Sequence, residues 1–327
     1  MRDLYVRSIY VEGFRGIRKL ASPLRLAKFN LVLGRNNSGK TALLEALYLI
    51  PHPHLPAVLP SIGRRIDLIA GMHCGYQSLI YGYSGEALIS CELGGLTLKV
   101  KIDEKGGAEV FVDSQRASTP SSVADSMKVG EKALWSSSYF IPSDTLFLER
   151  VQAELLKDDV WSRVVKVGAH VSTVKELVNP AVSDTFTEVL IEKGRLKLRK
   201  EGEEGPLYIH VSDLGRGVQR VLTIALTLEY LKPSLVLWDS LESSAHPGLI
   251  EVVLDWLSRG ESQVVISTHS LDVLYEYARI SPLDSQVILL RKDRNDVVRY
   301  RIFSPEELDE LLNGGVDPRK IVGVIKL

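Results

Sequence analysis

Eight residues constrain this chain more than any others: Gly34-Arg35-Asn36-Asn37-Ser38-Gly39-Lys40-Thr41. They satisfy G-x-x-x-x-G-K-[S/T] at every fixed position. Gly34 and Gly39 let the backbone turn so that successive N–H groups face inward and cradle phosphate oxygens, with Arg35, Asn36, Asn37 and Ser38 supplying the peptides between them. Lys40 sets an ammonium against β and γ oxygens, and the Thr41 hydroxyl is a ligand type suited to Mg²⁺. Residues 29–33 read as a buried strand before the loop. Residues 41–50 read as a helix after it, ended by Pro51, and its positive end points at the anion. The expected class is therefore an α/β P-loop NTPase with ATP and Mg²⁺ as its ligands.

A P-loop needs a distant carboxylate for the metal's water shell. Residues 235–238, Leu-Val-Leu-Trp, form an apolar strand that ends in Asp239. The next apolar strand, 263–267, ends in Ser267-Thr268-His269-Ser270, where His269 is within reach of a γ-phosphate. Around these motifs the pattern from residue 235 alternates strand and helix: strands 235–238, 263–267 and 286–291, helices 248–257 and 271–278. Such alternation predicts a parallel sheet with helices on its faces. A helix over 218–231 precedes it, stopped by Pro233.

The middle of the chain reads differently. Residues 87–113 predict a β-meander, with Gly94-Gly95 as a hairpin turn. In its second strand Leu96, Leu98, Val100 and Ile102 alternate with Thr97, Lys99 and Lys101, so one face is wet. The Ser-rich segment 114–128 predicts a mobile connection. Asp144 is placed to cap a helix running to about 167, with a short helix near 173–178. Segments 188–192, 196–200 and 207–211 predict further antiparallel strands. The expected division is 1–143 for the P-loop and antiparallel β lobe, 144–186 for a small helical lobe, and 187–327 for the rest.

Composition excludes some classes. The chain is 45% hydrophobic and 25% charged, with no apolar run near the length of a bilayer span. The N-terminus lacks a signal peptide's apolar stretch, and Cys74 and Cys91 form no CxxC pair, so a cytoplasmic setting without membrane contact is expected. Residues 1–40 carry nine Lys/Arg against Asp3 and Glu12, although the net charge is −1. A basic start suits phosphate ligands or a polynucleotide backbone, and a solvated basic face is the plainer reading. Arg195, Lys197 and Arg199 alternate with Leu196 and Leu198, which puts three cations on one strand face as a second candidate DNA contact.

The order of motifs resembles an ABC-type ATPase head: the P-loop, Leu214-Gly215-Arg216-Gly217-Val218-Gln219-Arg220, Asp239, His246-Pro247, then Ser267-Thr268-His269-Ser270. Gly13-Phe14-Arg15-Gly16-Ile17 ahead of the P-loop is similar to the SMC/RecF-like branch, and within it to the ATPase domain of the OLD (overcoming lysogenisation defect) family. The resemblance implies that Gly215, Arg216 and Gly217 contact the ATP of an opposite subunit. Two ATPs are then sandwiched in a head-to-tail homodimer. Asp239 corresponds to the Walker B aspartate, Ser243-Ser244-Ala245-His246 to the D-loop, and His269 to the switch histidine, while Arg15 is implied to approach the phosphates.

Three departures stand out. Ser240 occupies the position of the catalytic carboxylate, and Glu242 is the candidate substitute. Gly215 stands where ABC transporters have the signature serine. No glutamine serves as a Q-loop residue near 139–144. The segment after His269 is too short for the Toprim nuclease domain of OLD proteins, so a separate nuclease or effector chain is an expected partner. The implied function is ATP-dependent dimerisation with slow hydrolysis, in DNA repair, DNA maintenance or phage defence. A non-hydrolysing ATP-binding interaction module and a P-loop kinase are the alternatives, the kinase requiring a lid and an acceptor pocket.

Overall fold

A computed structural model describes residues 4–57, 63–243 and 245–321. Part of the proline-rich stretch 51–63, Ser244 of the expected D-loop, Arg2 and Asp3 lie outside the described residues. The first half contains β1 (Val6–Phe14), β2 (Ile17–Leu20), β3 (Leu24–Arg25), β4 (Phe29–Gly34), α1 (Lys40–Tyr48) and α2 (Arg65–Gly71). The meander follows as β5 (Glu86–Leu93), β6 (Leu96–Asp103), β7 (Ala108–Val112) and β8 (Gln115–Ala117), then α3 (Pro120–Met127), α4 (Glu131–Trp135) and β9 (Ser138–Ile141). Next come α5 (Thr145–Leu155), α6 (Asp158–Lys166), α7 (Ala169–Thr173), a π-turn over Val174–Val178, and α8 (Asn179–Ala181). The second half contains β10 (Glu188–Glu192), β11 (Arg195–Gly202), β12 (Gly205–His210), α9 (Arg216–Leu231), β13 (Leu235–Trp238), α10 (Pro247–Arg259), β14 (Gln263–Ser267), α11 (Leu271–Ile280), β15 (Ser285–Lys292), β16 (Val297–Phe303) and α12 (Pro305–Asn313).

Among the described residues thirteen strands form one mixed sheet, in the order β8-β7-β6-β5-β1-β2-β16-β15-β4-β14-β13-β9, with β3 on β1. The expected antiparallel lobe is therefore continuous with the P-loop sheet, joined through the β1–β5 ladder. The parallel part runs β15-β4-β14-β13-β9. Its strands are buried on both faces, as the unbroken apolar runs 31–33, 235–238 and 264–266 require. Parallel neighbours share one direction, so the C-terminal ends of β4, β14 and β13 gather at one edge. The meander alternates as expected, with Leu98, Val100 and Ile102 fully buried.

A second apolar core joins Leu155, Val160, Val164, Val174, Leu198, Val211, Leu222 and Leu226. It binds α5–α7 and the separate β10-β11-β12 sheet to one face of α9. The other face of α9, with Val221, Ile224, Ala225 and Leu228, lies on the main core. This helix thus welds the two bodies together.

Two local expectations are corrected. The helix capped by Asp144 ends at Leu155, and Lys157 starts a second helix with Asp158 and Asp159 in its first turn, a better match to the helix dipole. The segment 114–128 is ordered as β8 and α3, because Thr119 and Ser122 form a reciprocal capping box with Pro120 at the first helical position. One buried cation braces the far end of α1. Arg65 is fully buried and donates to the carbonyls of Tyr48, Ile50, Leu134 and Trp135 and to the Ser137 hydroxyl.

Candidate nucleotide site

The loop between β4 and α1 has the shape its glycines permit. Gly34 has φ 153° and Gly39 φ 101°. A Cβ on Gly34 would stand 2.3 Å from Ser38 Oγ and 2.7 Å from the Leu290 carbonyl. A Cβ on Gly39 would stand 3.2 Å from the Ile17 side chain. A side chain at either position would also have to adopt a backbone angle that L residues rarely take. Ile17 and Phe14 are fully buried, which gives the Gly13–Ile17 segment a physical reason: its turn packs beneath the P-loop. Arg35, Asn36 and Asn37 form the exposed tip.

Lys40 lies under the loop, and its ammonium donates to the carbonyls of Gly34 (2.9 Å) and Arg35 (3.1 Å). Burial lowers its pKa to about 8, opposed by the negative charges of Asp239 and Glu242. A cation held this way by neutral carbonyls is poised for anionic oxygens. The Ser38 hydroxyl is buried with no hydrogen-bond partner among the described residues, a further group awaiting a ligand.

Asp239 follows β13 and is reached from β4 across one intervening strand, β14. The Thr41 hydroxyl donates to its carboxylate at 3.1 and 3.2 Å. The Ser267 hydroxyl at the end of β14 donates to the same carboxylate. Burial raises the Asp239 pKa, and these two hydrogen bonds oppose the rise. A hydroxyl and a carboxylate brought together beside a buried lysine form a hard-oxygen donor set that fits Mg²⁺ and its water shell.

Ser240, next in sequence, sits at φ 53° and its N–H donates to Ser267 Oγ at 3.1 Å. The left-handed residue turns the chain sharply, and Glu242 points back at the strand ends. Glu242 accepts from the Thr268 hydroxyl at 2.8 Å and from the His269 N–H at 2.8 Å. His269 is exposed, and burial followed by the nearby Lys40 charge lowers its pKa. Thus Lys40, Thr41, Asp239, Ser240, Glu242 and His269 come together at one edge of the sheet.

Other expected residues stand elsewhere. Arg15 turns to Glu45 on α1, which is completely buried, with contacts of 2.8 and 3.1 Å. His73 meets the same carboxylate at 2.9 Å. Gly215 caps α9, and Gly215 and Arg216 are exposed while Gly217 is buried. Arg216 has no hydrogen bond or ion pair among the described residues. The start of α9 bridges both bodies: Val218 packs on both cores, and the buried Arg220 donates to the Pro142 carbonyl at 2.9 Å and feels the charge of Asp239. The strand-face cations are not three free charges: Lys197 pairs with Glu192 and Arg199 with Glu201 at 2.6 Å, leaving Arg195 exposed. Sequence reasoning missed Glu45 and Ser267. The polar residue inside the apolar helix 41–50 was the one signal for Glu45.

The fold and site define a P-loop ATPase with the fold of an SMC head. A crystal structure of an SMC head bound to the C-winged helix domain of ScpA superposes with TM-score 0.62 over 92% of this chain and 99% of that one, at 11% identity. An SMC head from Pyrococcus furiosus gives 0.61 over 95% and 99%, also at 11% identity. One from Thermotoga maritima gives 0.50 over 93% and 100%, at 16% identity. Residues 102–274 match the family described as AAA domain, putative AbiEii toxin, Type IV TA system, and the chain belongs to that family. Residues 4–56, which include the P-loop, match a protein of unknown function, DUF2813. An uncharacterized protein of Methanocaldococcus jannaschii, MJECL11, is 32% identical over 92 residues, 26% of this chain and 81% of that protein. No helix among the described residues is long and apolar enough to cross a membrane.

The site generates one direct test. Replacing Lys40 with Ala removes the ammonium held by the Gly34 and Arg35 carbonyls. ATP affinity measured by calorimetry should fall at least about a hundredfold, since a charge-assisted contact to phosphate is lost in a buried setting. Unchanged affinity in a folded variant would remove the phosphate role from this loop.

Proposed function

We propose that this chain is an ATP-dependent switch in which two copies close head to tail on two nucleotides and hydrolyse them slowly. The observation that carries this reading is a converged P-loop site in a chain whose signature-like helix start is exposed and unpaired. Lys40, Thr41 and Asp239 converge on one edge of the main sheet. The start of α9 exposes Gly215 and Arg216, and Arg216 has no hydrogen bond or ion pair among the described residues. Each is a phosphate-binding half without its complement, and a second copy turned about a twofold axis supplies both. The lobe division 1–143, 144–186 and 187–327 belongs to the same proposal, with the strands of 188–210 carried on the helical body. So does affinity to the OLD branch, which rests on the Gly13–Ile17 segment and on Glu242.

In the proposed reaction Lys40 holds β and γ oxygens, the loop amides position them, and Thr41 and Asp239 hold the metal. Mg²⁺, when bound, neutralises charge that builds on the leaving phosphate. His269 faces the γ end. What the arrangement lacks is an uncommitted base beside the attacking water. Ser240 has no basic group, and both oxygens of Glu242 already accept hydrogen bonds from Thr268 and His269. Glu242 reads as a latch on the switch segment. That observation also supports the second reading, an ATP-binding interaction module with negligible turnover. DNA and an effector chain are the partners considered under this proposal; the exposed Arg18, Lys19 and Arg35 near the P-loop support a polyanion more than the paired β11 cations do.

Two outcomes test the proposal. ATP with Mg²⁺ should double the mass seen by light scattering, and Arg216→Glu should keep the protein monomeric at the same ATP concentration. A monomer under saturating ATP contradicts the half-site argument. Wild-type single-turnover hydrolysis should be slow, and Ser240→Glu should raise it by up to about a hundredfold, the lower range for a positioned base. Glu242→Gln keeps the shape and one of the two acceptors, so it should disturb turnover less than about tenfold if Glu242 is a latch. A complete stop in Glu242→Gln, with no gain in Ser240→Glu, would make Glu242 the base instead.

A further inference from the structure

The segment that follows α12 reaches the nucleotide edge in a way the P-loop, Asp239 and Glu242 do not explain. After Asn313 the chain turns through Gly314 and Gly315, whose N–H groups donate to Glu310 and Leu312 carbonyls, and the Val316 N–H closes onto Leu311 at 2.8 Å. This end motif reverses the chain so that residues 316–321 run back beside the switch. There Asp317 and Arg319 form a self-contained fork. Arg319 Nε donates to Asp317 Oδ1 at 2.9 Å and Nη2 to Oδ2 at 2.8 Å, while the Arg319 N–H donates to Oδ1 at 3.0 Å. The guanidinium plane is fixed by that pairing. Its remaining amine, Nη1, donates to the backbone carbonyl of His269 at 2.5 Å.

His269 is thereby held from both sides. Glu242 takes its N–H, Arg319 takes its carbonyl, and the neighbouring Thr268 is fully buried with its hydroxyl on Glu242. On the far side, Ser270 caps α11, and α11 packs on α12, the helix that delivers Arg319. The only free part of His269 is its exposed imidazole. An exposed side chain on a loop ordinarily samples several rotamers and backbone states, and a group that must meet a γ-phosphate loses rate when misplaced by an ångström. Fixing both peptides around it removes the backbone part of that freedom.

We propose that Arg319, aimed by Asp317, is a positioning residue that acts through His269 and ties hydrolysis to the segment 316–321. The proposal rests on the switch role of His269 stated above. It assigns Arg319 no contact with nucleotide.

The test is a double-mutant cycle read by single-turnover hydrolysis at saturating ATP and Mg²⁺. Arg319→Ala should slow hydrolysis about tenfold, a modest misplacement effect, while ATP affinity stays within about twofold. Arg319→Lys should restore part of the rate, because an ammonium still reaches one carbonyl. In a His269→Ala background Arg319→Ala should cost nothing further. Equal slowing in both backgrounds, or loss of ATP affinity, overturns the proposal in favour of a general structural role. Hydrogen exchange keeps the proposal open to refutation even if the wild type hydrolyses nothing. Amides of residues 268–270 should exchange about fivefold faster in Arg319→Ala, with amides of β4 and β13 unchanged. Unaltered exchange at 268–270 overturns the clamp itself. Absent hydrolysis with faster exchange overturns the switch reading and leaves the clamp standing.

Discussion

A buried carboxylate is costly unless hydrogen-bond donors and cations surround it. Asp239 is such a group, and the hydroxyls of Thr41 and Ser267 are its donors. The pairing joins three strand ends that are distant in sequence: Thr41 stands just after β4, Asp239 after β13, and Ser267 ends β14. Everything at the nucleotide edge is arranged from this point. Lys40 shares the helix turn of Thr41, the left-handed Ser240 follows Asp239, and Thr268 and His269 follow Ser267. A metal held by Thr41 and Asp239 would sit where the ends of β13 and β14 meet. The switch segment is attached to both.

How a residue's role is encoded decides how far it can be seen in a sequence. The P-loop was legible because each fixed position answers a local demand: Gly34 and Gly39 for their backbone angles, Lys40 and Thr41 for their chemistry. Asp239 and His269 were legible because apolar strands ended at them, and parallel strands end together. The partner of Arg15 was hard to see because Glu45 lies 30 residues on and is buried on a helix of otherwise apolar composition. The three-cation face of β11 alternates as expected, but its charges are answered by Glu192 and Glu201 around the two ends of the strand. Residues 114–128 looked mobile from serine content, yet Ser122 and Thr119 are there to cap a helix. The Arg319 contact had no sequence signal, since it depends on a chain reversal at Gly314-Gly315 that brings it to a residue 50 positions away.

The same contrast applies to Ser240 and Glu242. Their identities pointed to slow turnover or to a substituted base, and sequence alone left the direction of Glu242 open. The turn at Ser240 directs Glu242 onto Thr268 and His269, which ties it to the segment after β14. A head built this way has its charge-neutralising groups in place and its water-activating group engaged elsewhere. That combination is what the proposed slow switch requires.

The account turns on Asp239 and Thr41 acting together on a metal at the phosphates. The most direct measurement is ATP affinity with and without Mg²⁺, for the wild type and for Asp239→Asn. Mg²⁺ should tighten wild-type binding by about tenfold or more, and should give Asp239→Asn no comparable gain. An equal benefit of Mg²⁺ in both proteins would contradict the account.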